Sequence, residues 1–215
     1  MPTPIYIFSG LGADDRVFQK LDFSGYNVTF IKWEAPQQNE TIENYATRLL
    51  AQIKTDKPIL IGLSFGGIMA IEVAKQIDTE KIILVASAKT RSEIPFYYRW
   101  AGKLGLHHLL PRKLLKQSNF ITSWLFGTTS AFEQQLLKTI LFDTDPVFLK
   151  WAINELVGWQ NLAKPENIVH IHGTADRILP FRFIDCNFKI KNGGHFMTLN
   201  KAEELMQIIK TALNT

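Results

Sequence analysis

The chain contains one cysteine, Cys186, in 215 residues. An internal disulfide is therefore excluded, and such sparse cysteine suits a reducing compartment, with the cytoplasm the expected one. No apolar run approaches the roughly 18 to 20 residues that a membrane span requires. The first apolar run, Ile5 to Phe8, follows no basic stretch, so it reads as a strand and not as the core of a signal peptide. Charge of one sign is also scarce, with 24 Lys and Arg against 20 Asp and Glu, a net charge of +4. The densest basic stretch, Lys103 through Arg112, Lys113 and Lys116, is interleaved with leucines and reads as a solvated helix face. A minor alternative is a face that attracts an acidic partner, such as a carrier protein or a phosphate-bearing substrate. A nucleic-acid partner is not expected, since neither a clustered basic stripe nor a reading motif is present.

What remains is an ordinary globular composition, 46% hydrophobic and 20% charged, long enough for one domain or one domain with a modest insertion. Short apolar runs alternate with helical patterns. Strands are expected at Ile5 to Phe8, Asn27 to Ile31, Pro58 to Gly62, Lys81 to Ala86, Ile168 to His172 and Phe188 to Ile190. Helices are expected around Asp14 to Leu21, over Ile42 to Ile53 with Thr41 or Asn39 as cap, over Phe65 to Ile77, and over Ala202 to Leu213. The strand runs are almost continuously apolar, as they are when helices cover both faces of a parallel sheet. The alternation predicts a doubly wound α/β sheet. From about Ala88 to Leu162 the strand signal vanishes and only helical periodicity is left. One helix has Phe132, Leu136, Leu137, Ile140 and Leu141 on its face; another opens at Asp145-Pro146 and turns Phe148, Ala152, Leu156 and Trp159 inward. The expected organisation is an α/β core from 1–87 and 163–215, with an all-helical insertion over 88–162.

Chemistry centres on Gly62-Leu63-Ser64-Phe65-Gly66-Gly67, between a predicted strand and a predicted helix. Glycines two before and two after a serine permit a turn sharp enough to present its hydroxyl above the sheet. A plain Gly-rich turn whose serine merely caps the helix is the competing reading. A nucleophilic serine needs a base, and the base needs an orienting group. Candidates for both occur later in the chain: His172-Gly173-Thr174-Ala175-Asp176 follows one strand, and Gly193-Gly194-His195 follows the last. Asp176 and His195 therefore belong at the carboxyl edge of the sheet, where open α/β folds build their sites. Of the other histidines, His170 reads as a packed ring within a strand, and His172 as support for the Asp176 turn. His107 and His108 have no acidic or cysteine cluster to join, so no metal is expected. Ser9-Gly10-Leu11-Gly12 follows the first strand. It lacks the spacing of a phosphate cradle, but its Leu11 N–H fits as the partner of the Phe65 N–H in an oxyanion hole. The alternative there is a strand–helix turn capped by Asp14 or Asp15.

In combination, Gly62-x-Ser64-x-Gly66, the His172-Gly173-x-x-Asp176 loop and Gly194-His195 resemble the α/β-hydrolase superfamily in its capped, esterase-like branch. The likeness covers most of the chain outside the helical insertion. It implies an α/β-hydrolase fold with a mostly parallel sheet of about six strands, trimmed at the start relative to the family. It also implies Ser64 as nucleophile, His195 as general base and acid, Asp176 as its orienter, and Leu11 and Phe65 as backbone donors. The family's usual His-Gly before the oxyanion loop is Ser9-Gly10 here. Helices inserted at this point cover the nucleophile in capped members, and the insertion is rich in aromatics, among them Trp100, Trp124 and Phe126 as candidates to line a pocket. The expected activity is hydrolysis of a small-molecule ester or thioester with an apolar acyl or aryl part, with no cofactor. C–C bond hydrolysis or a lyase step on the same three residues is the alternative, and a non-catalytic binding protein on this scaffold is another. Dehalogenase and epoxide-hydrolase chemistry is disfavoured, because those branches carry Asp where this chain has Ser64.

Overall fold

The computed structural model describes residues 3–105 and 120–214. Six strands form one sheet: β1 (Ile5–Phe8), β2 (Val28–Phe30), β3 (Ile59–Leu63), β4 (Lys81–Val85), β5 (Ile168–Gly173) and β6 (Phe188–Ile190). They lie in the order β2-β1-β3-β4-β5-β6, and every neighbouring pair is parallel. The sheet is thus parallel throughout, where a mostly parallel one was expected. The strand order reverses between β1 and β3, so the chain leaves their carboxyl ends in opposite directions and opens a crevice between them.

Alternate strand residues face opposite layers. Ile5, Ile7, Ile59, Ile61, Ile83 and Val85 pack toward Leu205 and Ile209, which belong to the last helix, α8 (Ala202–Asn214). Tyr6, Phe8, Leu60, Ile82 and Leu84 pack in the other layer, with Tyr45, Leu49, Ile68 and Ile71. Those come from α1 (Ile42–Leu49) and α2 (Phe65–Ala74). The Thr41 hydroxyl caps α1 by accepting from the Asn44 N–H. Three elements are shorter than their periodicity predicts. The first turn is a 3-10 helix over Asp15–Phe18, α1 gives way to a 3-10 turn at Leu50–Gln52, and α2 ends at Ala74. In each case the last N–H groups bond three residues back, as Leu21 to Phe18, Ile53 to Leu50 and Gln76 to Val73 do. That tighter winding turns the chain toward the next strand while the apolar side chains stay in the core.

Between β4 and β5 the described residues hold only helices: α3 (Phe96–Lys103), α4 (Phe120–Phe126), α5 (Ala131–Asp143) and α6 (Pro146–Gly158). Asp145 caps α6 by accepting from the Val147 and Phe148 N–H groups. Leu137, Ile140 and Leu141 of α5 join one apolar layer, and Phe148 and Ala152 of α6 join the other. Short α7 (Met197–Asn200) precedes α8. The basic stretch beyond Lys103 and the pair His107-His108 lie outside the described residues. Among those described, no helix is long and apolar enough to cross a membrane.

Candidate active site

Four loops leave the carboxyl edge of the sheet and converge: those after β1, β3, β5 and β6. Ser64 stands at the end of β3, immediately before α2, with φ 54° and ψ −121°. A non-glycine residue in that region is strained and persists only where its surroundings hold it. Here the Ser64 N–H donates to the Val85 carbonyl, and its own carbonyl accepts from the Ser87 hydroxyl at 2.7 Å. Neighbouring glycines let backbones meet: a Cβ on Gly62 would lie 2.4 Å from the Gly67 Cα, and one on Gly66 would lie 2.2 Å from the Ser9 carbonyl oxygen. The small residues of the motif are therefore required by contact and not only by the turn.

Ser64 Oγ lies 2.8 Å from His195 Nε2, and His195 Nδ1 lies 2.7 Å from Asp176 Oδ2. The other carboxylate oxygen, Asp176 Oδ1, accepts from the Ile178 and Leu179 N–H groups, each at 2.9 Å. An ionised carboxylate only accepts, so Nδ1 carries a proton and Nε2 is left to accept the serine hydroxyl. Burial works to raise the Asp176 carboxyl but is outweighed by the His195 and His172 rings and the Leu179 N–H, which hold it below its ordinary range. Asp176 and His195 are buried, while Ser64 keeps some exposure. The β5 and β6 loops are in backbone contact: the Ala175 N–H donates to the Gly193 carbonyl, and a Cβ on Gly173 would meet that same oxygen at 2.2 Å. Such a row can draw the proton from a hydroxyl as the oxygen attacks an electrophile.

The β1 loop crosses in front of Ser64, with Gly10 close enough that its Cβ would sit 3.6 Å from that of Ser64. The Ser9 hydroxyl fixes this loop, donating to the Ala13 carbonyl and accepting from the Trp33 indole N–H. Thr144, between α5 and α6, places its hydroxyl 2.6 Å from the Gly12 carbonyl. Among the described residues, neither the Leu11 nor the Phe65 N–H has a hydrogen-bond acceptor. Ser9 and Thr144 were missed as supports; the Ser-Gly beside a family His-Gly was the only sequence signal for either.

A cavity of about 310 Å³ opens beside Ser64 and His195. Its walls include Leu11, Val17, Tyr98, Thr122, Phe126, Leu141 and, from one side of α6, Leu149, Ile153, Leu156 and Val157. Tyr98 is pushed up to about 12 by burial, so its phenol stays protonated. Of the aromatics singled out in the sequence, Phe126 lines the cavity and sets its ring edge-on to His195 at 5.7 Å. Trp100 and Trp124 do not. Trp100 is 69% exposed, and Trp124 is half exposed with its face covered by the Arg177 guanidinium at 4.5 Å. The face of α6 read from the sequence also splits: Phe148, Ala152 and Trp159 serve the core, and the stripe at 149, 153 and 156 faces the cavity. That stripe has helical spacing of its own, but the sequence does not say which of the two stripes meets the core. A larger hollow, about 710 Å³, lies at the opposite edge of the sheet beside Leu50, Lys54 and Asp78, away from these loops.

Two other histidines stand near the row. His170 is fully buried, and burial drives it down to about 3. His172 is equally buried and lies 3.6 Å from Asp176 Oδ2 through its Nε2. Among the described residues, no group of three or more His, Cys, Asp or Glu side chains is placed to hold a metal ion.

The family model described as "Alpha/beta hydrolase family" matches residues 6–208. The chain belongs to the alpha/beta hydrolase family. Among solved structures it is similar to an esterase from Thermogutta terrifontis, with a TM-score of 0.72 at 17% identity, covering 100% of this chain and 90% of that one. A hydrolase from Oleispira antarctica gives 0.72 at 11% identity, covering 100% and 92%. The enol-lactonase from Burkholderia xenovorans gives 0.70 at 15%, again covering 100% and 92%. At these identities the likeness is one of fold. No curated protein sequence matches. Membership in the alpha/beta hydrolase family supports a hydrolase activity.

Proposed function

We propose that this hydrolase cleaves esters or thioesters with an apolar acyl or aryl part, through an acyl-enzyme on Ser64. The observation that carries this reading is the unbroken row from Ser64 Oγ through His195 to Asp176, opening on an almost wholly apolar cavity. His195 Nε2 takes the hydroxyl proton as Ser64 Oγ attacks the substrate carbonyl carbon. Asp176 holds the ring in the required tautomer and stabilises the imidazolium. Negative charge gathering on the carbonyl oxygen falls to the Leu11 and Phe65 N–H groups, the latter at the N-terminus of α2 where the helix dipole adds to it. His195 then gives its proton to the departing alcohol or thiol, leaving the acyl group on Ser64. Water, deprotonated by the same ring, releases the acid and restores the serine. Helices α3 to α6 serve as the cap, with Phe126 and α6 walling the acyl site.

The test is labelling with a fluorophosphonate probe, followed by rates on p-nitrophenyl esters and acyl-CoA thioesters. The wild-type protein labels, and Ser64→Ala and His195→Ala do not. A folded wild type that neither labels nor turns over an ester overturns the proposal.

A further inference from the structure

The mechanism proposed above leaves unused a second buried imidazole beside the row. His172, near the end of β5, has its Nε2 2.8 Å from the Leu179 carbonyl oxygen and 3.6 Å from Asp176 Oδ2. A carbonyl only accepts, so Nε2 carries the proton and Nδ1 is bare. Burial pushes the ring's pKa down, in keeping with a neutral imidazole. Leu179 is gripped on both sides: its N–H donates to Asp176 Oδ1, and its carbonyl accepts from the His172 Nε2–H. Residues 176–179 are thus closed over the carboxylate at one end and clipped to β5 at the other.

We infer that His172 is a positioning residue for the proposed reaction: it aims the Asp176 carboxylate at His195. The same Nε2, carrying its proton to the Leu179 carbonyl, lies 3.6 Å from Oδ2, the oxygen that His195 uses. The charged and titratable neighbours of the ring are Asp176, His195 and the His170 ring, whose centroid is 5.5 Å away. A ring kept only for packing explains this poorly. Among the described residues His172 Nδ1 has no hydrogen-bond partner, and a buried nitrogen without one costs free energy that an apolar side chain would avoid. What the imidazole provides and an apolar ring does not is the Nε2 proton.

This inference rests on the triad reading, and the experiment separates the two. His172→Phe keeps a ring and removes the donor; His172→Gln returns an N–H near the place of Nε2; His172→Asn returns one only near Nδ1. On an ester substrate, the Phe and Asn variants lose kcat by about 10- to 100-fold with KM unchanged, the scale of a small misplacement of a catalytic group. The Gln variant recovers most of it. In proton NMR, the far-downfield signal of the His195–Asp176 hydrogen bond shifts or broadens in Phe and Asn and returns in Gln. Should the Phe variant fail to fold, the Gln and Asn pair decides. Wild-type kcat and an unmoved signal in the Asn or Phe variant would overturn the role, however far melting falls. Failure of the wild type to label at Ser64 would instead strike the triad reading, with the NMR signal still testing the positioning.

Discussion

Gly66 approaches the end of β1 so closely that a Cβ on it would lie 2.3 Å from the Phe8 carbonyl oxygen. This contact joins the first turn of α2 to β1 and brings Ser64 beside Gly10 and Leu11. Both obstructing atoms, the Phe8 and Ser9 carbonyl oxygens, are backbone in or next to a central strand, so neither can give way. Gly66→Ala therefore costs more than about 3 kcal/mol, beyond the usual range for overpacking. Soluble yield and melting temperature read this directly. Gly158→Ala is the control, because a Cβ there meets nothing within 4 Å; it leaves melting unchanged or raises it. Equal melting of the two variants would remove the contact argument.

Asp176→Asn leaves the shape of the site and breaks its chemistry. An amide has one accepting oxygen, whereas Asp176 accepts on both: from His195 on one, and from Ile178 and Leu179 on the other. Turned one way, the NH2 group faces the Ile178 and Leu179 N–H donors; turned the other, it donates to His195 Nδ1, which leaves the ring protonated on Nε2 and unable to accept from Ser64. The expected loss in kcat is about 10⁴-fold, the scale seen when a triad imidazole loses its orienting carboxylate, with about 1 to 3 kcal/mol of stability lost as well. Steady-state kinetics alongside urea unfolding measures both. An Asn variant within tenfold of wild type would show that Asp176 does not orient the base.

Much of this site was legible because its chemistry sits in short, local motifs. A serine between two glycines after an apolar run, or an Asp four residues past a strand histidine, needs no distant information to be recognised. Six strands were likewise visible as apolar runs, with each end within one residue of that observed. The cavity wall was not legible in the same way. Trp100 and Trp124 attract notice as large aromatics, yet a helix in the region of 88–162 has two apolar stripes, and sequence does not say which one meets the core. On α6 the aromatic stripe went inward and the aliphatic one, Leu149 and Ile153, went to the cavity. The supports Ser9 and Thr144 act through single hydroxyls whose partners are fixed only by the fold.

Acid weakens the fold well before the carboxylates titrate. In the unfolded chain His170 takes up a proton near its ordinary 6.5, but in the folded chain burial defers this to about 3. Between those values the unfolded state binds more protons, so lowering the pH favours unfolding. The contribution of His170 is whole above 6.5 and is lost as pH falls toward 3, at about 1.4 kcal/mol per pH unit. His172, also depressed by burial, acts in the same direction. Lys89, Glu93 and Asp185 surround His170, whose Nδ1 lies 3.2 Å from the Asp185 carbonyl oxygen. His170→Asn keeps a donor at that position and cannot titrate. Urea unfolding at pH 7, 6, 5 and 4.5 should give a shallower fall for the variant; parallel curves would rule out the burial of His170 as the cause.

The proposed function makes this cavity the acyl site. Its described walls are aliphatic and aromatic apart from Gly10, Ser64, His195, Thr122 and the Tyr98 phenol, and its volume is about 310 Å³. Each methylene moved from water into such a wall is worth about 0.8 kcal/mol, so butanoyl esters exceed acetyl esters by roughly tenfold in kcat/KM. No lysine, arginine, aspartate or glutamate stands among the described lining residues. A substrate whose acyl chain ends in a carboxylate therefore has no counter-ion there and should be turned over far more slowly than its neutral analogue. Ile153→Phe fills part of the space, and the optimum of a p-nitrophenyl ester series moves to shorter chains. A series that peaks at acetyl in the wild type, with no gain from added methylenes, would place the acyl group elsewhere and leave the α6 stripe a purely structural face.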